Sequence, residues 1–252
     1  MMKRLENRIA LVTGGGSGLG KADCIKLAEE GAIVYVTDID ENAARRVAEE
    51  IGERAMALRH DVSSEEDWEA VYEQISSDHG RLDILVNNAG IVVVADPEAT
   101  TPEQFDRVMD VMCKGVFLGC KLGLPLLAKS ESGSIINMSS TASHFGYPPF
   151  FAYSAAKGAV RSMSKSIAIH CQDQGYKVRC NTLHPSSIET PMIQGAMGRA
   201  GQEEEVAEGV LPAGAIGAPS DVANLIAFLC SDEARFLTGG EYLVDNGLSI
   251  RP

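Results

Sequence analysis

Tyr153 and Lys157 stand four residues apart in Tyr-Ser-Ala-Ala-Lys, with Ser140 thirteen residues before the tyrosine. On a helix, side chains at that spacing sit one above the other, so a phenol and an ammonium would share one face and meet a common ligand. A free tyrosine is a poor base at neutral pH, and a nearby positive charge favours its ionised form. Ser140 closes the run Ser134-Ile-Ile-Asn-Met-Ser-Ser140, which reads as a buried strand ending in hydroxyls. A serine at such an end can hold a substrate oxygen, so the three residues make a proton-transfer site for an alcohol or a carbonyl. Taken alone, the spacing is that of an ordinary helical pair, and the rest of the chain must give it weight.

The elements that would position this site begin at the N-terminus. Arg8 to Thr13 is a short apolar run, followed by Gly14-Gly-Gly-Ser17-Gly18-Leu19-Gly20 and an amphipathic stretch from Lys21 to Glu30. That order predicts strand, glycine turn and helix, with unpaired helix N–H groups facing a pyrophosphate. The spacing is G-x-x-x-G-x-G, distinct from the G-x-G-x-x-G of longer dinucleotide-binding folds. A second strand, Ala32 to Thr37, ends in Asp38, placed to accept hydrogen bonds from an adenosine ribose and to repel a 2′-phosphate. Ser17 and Ile39 supply no basic group there, so the expected cofactor is NAD.

Further strands, Ala55 to Arg59 and Leu82 to Val86, end in Asp61-Val62 and in Asn87-Asn88-Ala89-Gly90. In an open parallel sheet this carboxyl edge is where ligands bind. Ser63 or Ser64 can cap the helix that opens with Glu65, Glu66 and Asp67. A long helix is predicted from Phe151 to about Gln174, then a strand from Lys177 to Leu183.

The chain of 252 residues, 45% hydrophobic, suffices for one α/β domain. A formal charge of -13 argues against nucleic acid and anionic membrane surfaces as partners, leaving a small molecule. The 6 cysteines include no C-x-x-C pair and no zinc spacing, so no metal site is expected. With no apolar leader and no run long enough to span a bilayer, the expected location is the cytoplasm.

In order and spacing, the turn Gly14 to Gly20, Asp38, Asp61-Val62, Asn87 to Gly90, Ser140, Tyr153 and Lys157 resemble the short-chain dehydrogenase/reductase family over nearly the whole chain. The resemblance implies a Rossmann-like, doubly wound parallel sheet of seven strands in the order 3-2-1-4-5-6-7, helices on both faces, a single domain and a homotetramer. It implies Ser140, Tyr153 and Lys157 as the catalytic residues. Gly14, Ser17, Gly18, Leu19 and Gly20 would hold the cofactor, with Asp38 and Ile39 beside its adenosine ribose. Asp61 and Val62 would meet the adenine, and Asn88, Ala89, Gly90 and Lys157 would lie toward the nicotinamide ribose. Pro185, Ile188 and Thr190 would hold the carboxamide. Residues from about 190 to 215, including Glu203-Glu204-Glu205, read as a substrate lid.

Closer likeness to bacterial hydroxysteroid and cyclic-alcohol dehydrogenases lies in Gly52 to Met56, Arg59 to Ser64 and Gln174 to Arg179. The aromatic loop His144-Phe145-Gly-Tyr147-Pro-Pro-Phe150-Phe151 suits a bulky, weakly polar substrate, though its rings also suit core or interface packing. His144, as a lone loop histidine, is given no catalytic role. Alternatives are a non-catalytic NAD-binding sensor or scaffold and a 3-oxoacyl carrier-protein reductase. The terminal Leu248 to Pro252 could reach a neighbouring subunit.

One position departs from the family. Met112 stands where the resemblance implies an asparagine that kinks the helix after the fourth strand and whose main-chain carbonyl holds a water beside the lysine. A methionine lacks the side-chain hydrogen bonds but keeps the carbonyl. Met112→Asn is expected to leave turnover unchanged or raise it in a steady-state assay; a large fall in kcat would overturn this account.

Overall fold

The opening strand is apolar and buried from end to end, and a strand of that kind must be covered on both faces. In the computed structural model, which describes residues 3–196, 198, 212 and 214–251, this strand, β1 (Ile9–Thr13), lies inside a parallel sheet. Its neighbours are β2 (Ile33–Asp38) and β4 (Ile84–Asn87), with Val12 opposite Val36 on one side and Val86 on the other. β3 (Ala55–Arg59), β5 (Gly133–Met138), β6 (Val178–Pro185) and β7 (Glu241–Val244) complete seven strands in the order β3-β2-β1-β4-β5-β6-β7. The expected topology is the observed one. The order reverses between β1 and β4, so a crevice opens there at the carboxyl edge.

Local signals set the helix starts. Asp40 caps α2 (Glu41–Ile51) by accepting from Asn42 and Ala43 N–H groups. Ser64, of the two serines considered, caps α3 (Glu65–His79) through the Asp67 N–H. A Thr101–Gln104 capping box opens α4 (Pro102–Met109). α1 (Gly18–Glu29), α2 and α8 (Pro219–Cys230) pack Leu27, Val47, Val222 and Ile226 against one face of the sheet. α3, α5 (Gly115–Leu127) and α6 (Phe151–Asp173) cover the other with Trp68, Leu118, Leu126 and Val160.

The last strand is only Glu241–Val244, because Asn181 on β6 ties the preceding chain by its side chain, donating to the Leu237 carbonyl and accepting from the Gly240 N–H. The expected lid begins with a short helix, α7 (Pro191–Ala196); residues 197, 199–211 and 213, with the Glu203–Glu205 run, lie outside the described residues. No helix of the described residues is long and apolar enough to cross a membrane.

Asp23, on α1, is an exception in the core. It is 0% exposed, and neither carboxylate oxygen has a hydrogen-bond partner among the described residues. Burial pushes its carboxyl well above the usual range, so the folded state holds a proton that the unfolded chain releases at lower pH. Stability therefore falls as pH rises from the ordinary carboxyl value toward the raised one. Asp23→Asn is expected to flatten this dependence and to be about 1–3 kcal/mol more stable than the parent at pH 8, with the gap closing in acid. Urea unfolding across pH checks it, and equal slopes for the two proteins would refute it.

Candidate active site

Two strand ends are locked together at the crevice. The Thr13 hydroxyl accepts from the Asn88 and Ala89 N–H groups, each at 3.0 Å. The Asn88 amide donates to the Thr13 carbonyl at 2.9 Å and the Gly14 carbonyl at 3.3 Å. This binds the start of the glycine turn to the end of β4. Gly14 has φ +64°, and a Cβ there would sit 2.9 Å from the Ala89 Cα. A Cβ on Gly20 would lie 2.1 Å from the Gly14 carbonyl oxygen, so only glycine lets the first turn of α1 close onto the strand. Asn88 was expected beside the nicotinamide ribose; it lines the cleft, but its amide hydrogens are committed to shaping the turn.

The Asp38 carboxylate ends β2 half-buried, fixed by the Gly16 and Asp40 N–H groups, each at 3.0 Å. Ile39 beside it is exposed, and Ser17 is exposed at the N-terminus of α1. Asp61 accepts from Ser63 and lies with Val62 along the same cleft. At the far end, Pro185 and Ile188 line the wall, and Thr190 caps α7 by accepting from Ile193 N–H at 3.3 Å. Ser186 continues the sheet past β6 through its N–H to the Val244 carbonyl at 3.0 Å.

Ser140, Tyr153 and Lys157 converge on this one cleft, of ≈ 930 Å³, which also reaches Gly14, Asp38 and Asp61. That volume is at the upper end for ligand cavities, and with a glycine cradle and a fixed carboxylate it fits an extended dinucleotide with room for a substrate. Lys157 is buried, and its ammonium donates to the Met138 carbonyl at 2.6 Å, with Nζ 5.5 Å from the centre of the Tyr153 ring. Burial pushes this lysine down to about 7. Burial also raises the Tyr153 phenol, and the neighbouring Ser140 side chain pulls it back down. The Lys157 ammonium thus rests on the end of β5, on the same cleft as the phenol.

Met112 sits in a π-helical turn, Asp110–Lys114, joining α4 to α5, with the Gly115 N–H reaching back to the Asp110 carbonyl. The kink survives without the asparagine. The Met112 side chain is 1% exposed, packed with Val108, Ala152 and Ala156 beside Tyr153, and a Cβ on Gly90 would meet it at 3.7 Å.

From the aromatic loop, Tyr147 and Phe150 line the cleft, while Phe151 is 42% exposed and faces Phe105. Leu248 also lines this chain's own cleft. The sequence reading missed Ile91, Val92 and an outer rim of Glu103, Asp106, Arg107 and Asp110. It missed too that His144 meets His184, with His144 Nε2 3.1 Å from His184 Nδ1. No spacing signal marks a pair joined across 40 residues.

Comparisons with known proteins agree with this geometry. Residues 14–249 match a family model described as enoyl-(acyl carrier protein) reductase. The chain is 40% identical to a 3-beta-hydroxysteroid dehydrogenase of Comamonas testosteroni, covering 98% of both. It is also 40% identical to an NADP-dependent (R)-specific alcohol dehydrogenase of Lentilactobacillus kefiri, covering 100% of both. The crystal structure of a 3-ketoacyl-(acyl-carrier-protein) reductase from Brucella melitensis, complexed with NADH, superposes with a TM-score of 0.88 at 37% identity, over 97% of this chain and 99% of that one.

If the close approach at Gly20 shapes the cradle, Gly20→Ala should weaken NADH binding at least about tenfold and cost about 1–3 kcal/mol of stability. Gly158→Ala on α6, where a Cβ meets nothing within 4 Å, should change neither binding nor turnover. Fluorescence titration and urea unfolding of the pair check this; equal NADH affinity in the Gly20 variant would refute it.

Proposed function

Because the chain belongs to the short-chain dehydrogenase/reductase family, we propose that it interconverts a bulky, apolar or cyclic secondary alcohol, such as a hydroxysteroid, and its ketone, using NAD. The observation that carries this reading is the convergence of Ser140, Tyr153 and Lys157 on the cleft that Asp38 enters from the other end. When bound, the dinucleotide supplies the hydride acceptor or donor at its nicotinamide ring.

The protein's part is orientation and proton transfer. The Ser140 and Tyr153 hydroxyls hold the substrate oxygen between them. Burial keeps the phenol protonated, which readies it to donate to a ketone. In alcohol oxidation the phenol must ionise, and Lys157, poised near 7, contributes a positive charge that favours this when protonated. Gly14 to Gly20 would hold the pyrophosphate, Asp38 the adenosine ribose, Asp61 and Val62 the adenine, and Pro185, Ile188 and Thr190 the carboxamide.

Asp38 supports NAD over NADP: its carboxylate is fixed by two backbone N–H groups, flanked by Ser17 and Ile39, and faces the place a 2′-phosphate would need. Tyr147, Phe150, Met192 and Leu248 support a bulky apolar substrate by giving the cleft an apolar wall. Carrier-protein ketoreduction is a second reading, favoured by the likeness to the Brucella enzyme. The net charge of -13 opposes docking of an acidic carrier, and on the rim Glu103, Asp106 and Asp110 outnumber Arg107. The reading includes a cytoplasmic homotetramer. Six unpaired cysteines suit a reducing compartment, and exposed Phe236, Leu243 and Ile250 suit an interface at the β7 edge.

The test is NAD reduction at 340 nm over hydroxysteroids, cyclic alcohols, aryl alcohols and polyols, with NADP and carrier-linked ketoacyl substrates in parallel. Turnover with NAD on a steroid or cyclic alcohol is expected, and Tyr153→Phe should lower kcat roughly 10²- to 10⁴-fold while NADH binding persists. Preference for NADP, or activity confined to polyols or carrier-linked substrates, would overturn the reading.

A further inference from the structure

Ser140 stands at the end of β5, and the loop carrying it leads into a buried polar group that the mechanism above does not use. His184, on β6, is 0% exposed. Its Nε2 lies 2.9 Å from the Thr182 hydroxyl. Its Nδ1 lies 3.0 Å from the Ser143 hydroxyl and 3.3 Å from the Ser140 carbonyl, which can only accept. Nδ1 therefore carries the proton toward the Ser140–Ser143 turn, and Nε2 accepts from the Thr182 hydroxyl. His144 Nε2 lies 3.1 Å from the same Nδ1. The Ser143 hydroxyl donates to the Ser140 carbonyl at 2.8 Å.

The far side of the group is tied to the catalytic helix. Glu241 on β7 faces Arg161 at 2.8 Å, Lys165, and His144 Nε2 at 3.8 Å. Arg161 also donates to the Ser143 carbonyl at 3.3 Å. Arg161 and Lys165 belong to α6, the helix that carries Tyr153 and Lys157. The same His144, His184 and Glu241 atoms lie within 4.8 Å of one another, as a metal site would require. Two cationic side chains already on Glu241 oppose a metal ion there. Burial pushes His184 down to about 4 and holds His144 below its usual value, so both rings are neutral near pH 7.

We infer that His184, with His144, is a positioning residue for Ser140: the neutral pair fixes the Ser140–Ser143 turn between the β6 end and helix α6, and so sets the distance from the serine hydroxyl to the Tyr153 phenol. This rests on the role proposed for Ser140. No substrate or cofactor atom need touch either ring. Because the pair acts through Ser140, its removal should alter the chemical step and leave the dinucleotide end of the cleft unchanged.

The test is a double-mutant cycle with Ser140→Ala, His184→Leu and the combined variant, read as kcat and as KM for NADH. His184→Leu is expected to lower kcat roughly 10- to 100-fold with KM for NADH unchanged, since small displacements at a reacting group have effects of that size. His184→Gln, which keeps a donor and an acceptor, is expected to recover most of the loss. In the Ser140→Ala background, His184→Leu should cost little more. An unchanged kcat, or a full additional loss in that background, overturns the inference while leaving Ser140's role intact. Full activity of Ser140→Ala overturns the reading of Ser140 itself. Should His184→Leu fail to fold, His144→Leu, at the half-buried end of the pair, takes its place with the same expected outcomes.

Discussion

The interaction on which the site depends is the lock between the ends of β1 and β4. Thr13 lends one hydroxyl to two N–H groups, and Asn88 returns an amide to two carbonyls of the glycine turn. Parallel strands carry their backbone hydrogen bonds along their length, and at the carboxyl edge the ladder runs out just where the chain must turn sharply. Side chains finish the ladder here. With the turn fixed, α1 starts at a set place, and its first residues can approach the strand closely enough to exclude any side chain at Gly20. The junction runs on to Gly90, where a Cβ would meet the Met112 side chain at 3.7 Å, and Met112 packs beside Tyr153.

Acidity at the reacting end is governed chiefly by burial. Water is withdrawn from a phenol and an ammonium in the same small volume, so both shift toward their neutral forms. A proton carrier of this kind is held between states, and modest changes in its surroundings decide which form prevails. Ser140, which alone is seen pulling the phenol down, therefore has an electrostatic part as well as a binding part.

The glycine turn, Asp38 and the three converging residues were legible in the sequence because each depends on local chemistry, whereas the sheet order came with the family resemblance. A buried strand announces itself by an apolar run, a cradle by glycines, and an edge by the polar residues that end it. What was hidden depends on partners far along the chain. The capture of Lys157 by the Met138 carbonyl joins a side chain to a backbone group, and backbone groups carry no sequence signature. His144 reads as a loop residue until β6 brings His184 to it. Asp23 looks like one polar position among many on an amphipathic helix, and only the seating of α8 on α1 makes it a buried acid. Leu248 lines the cleft, which no local signal in the last residues foretold.

The π-helical turn at Asp110–Lys114 does more than preserve a kink. An extra residue inserted into a helix rotates everything beyond it by about 100°. The apolar stripe of α4 therefore faces α6, while that of α5 is turned toward α3 and the sheet. A straight helix with one stripe would have to leave one of these neighbours unpacked. The turn works as a gear between two packing directions, and it lets a single continuous rod brace the catalytic helix at one end and the sheet at the other.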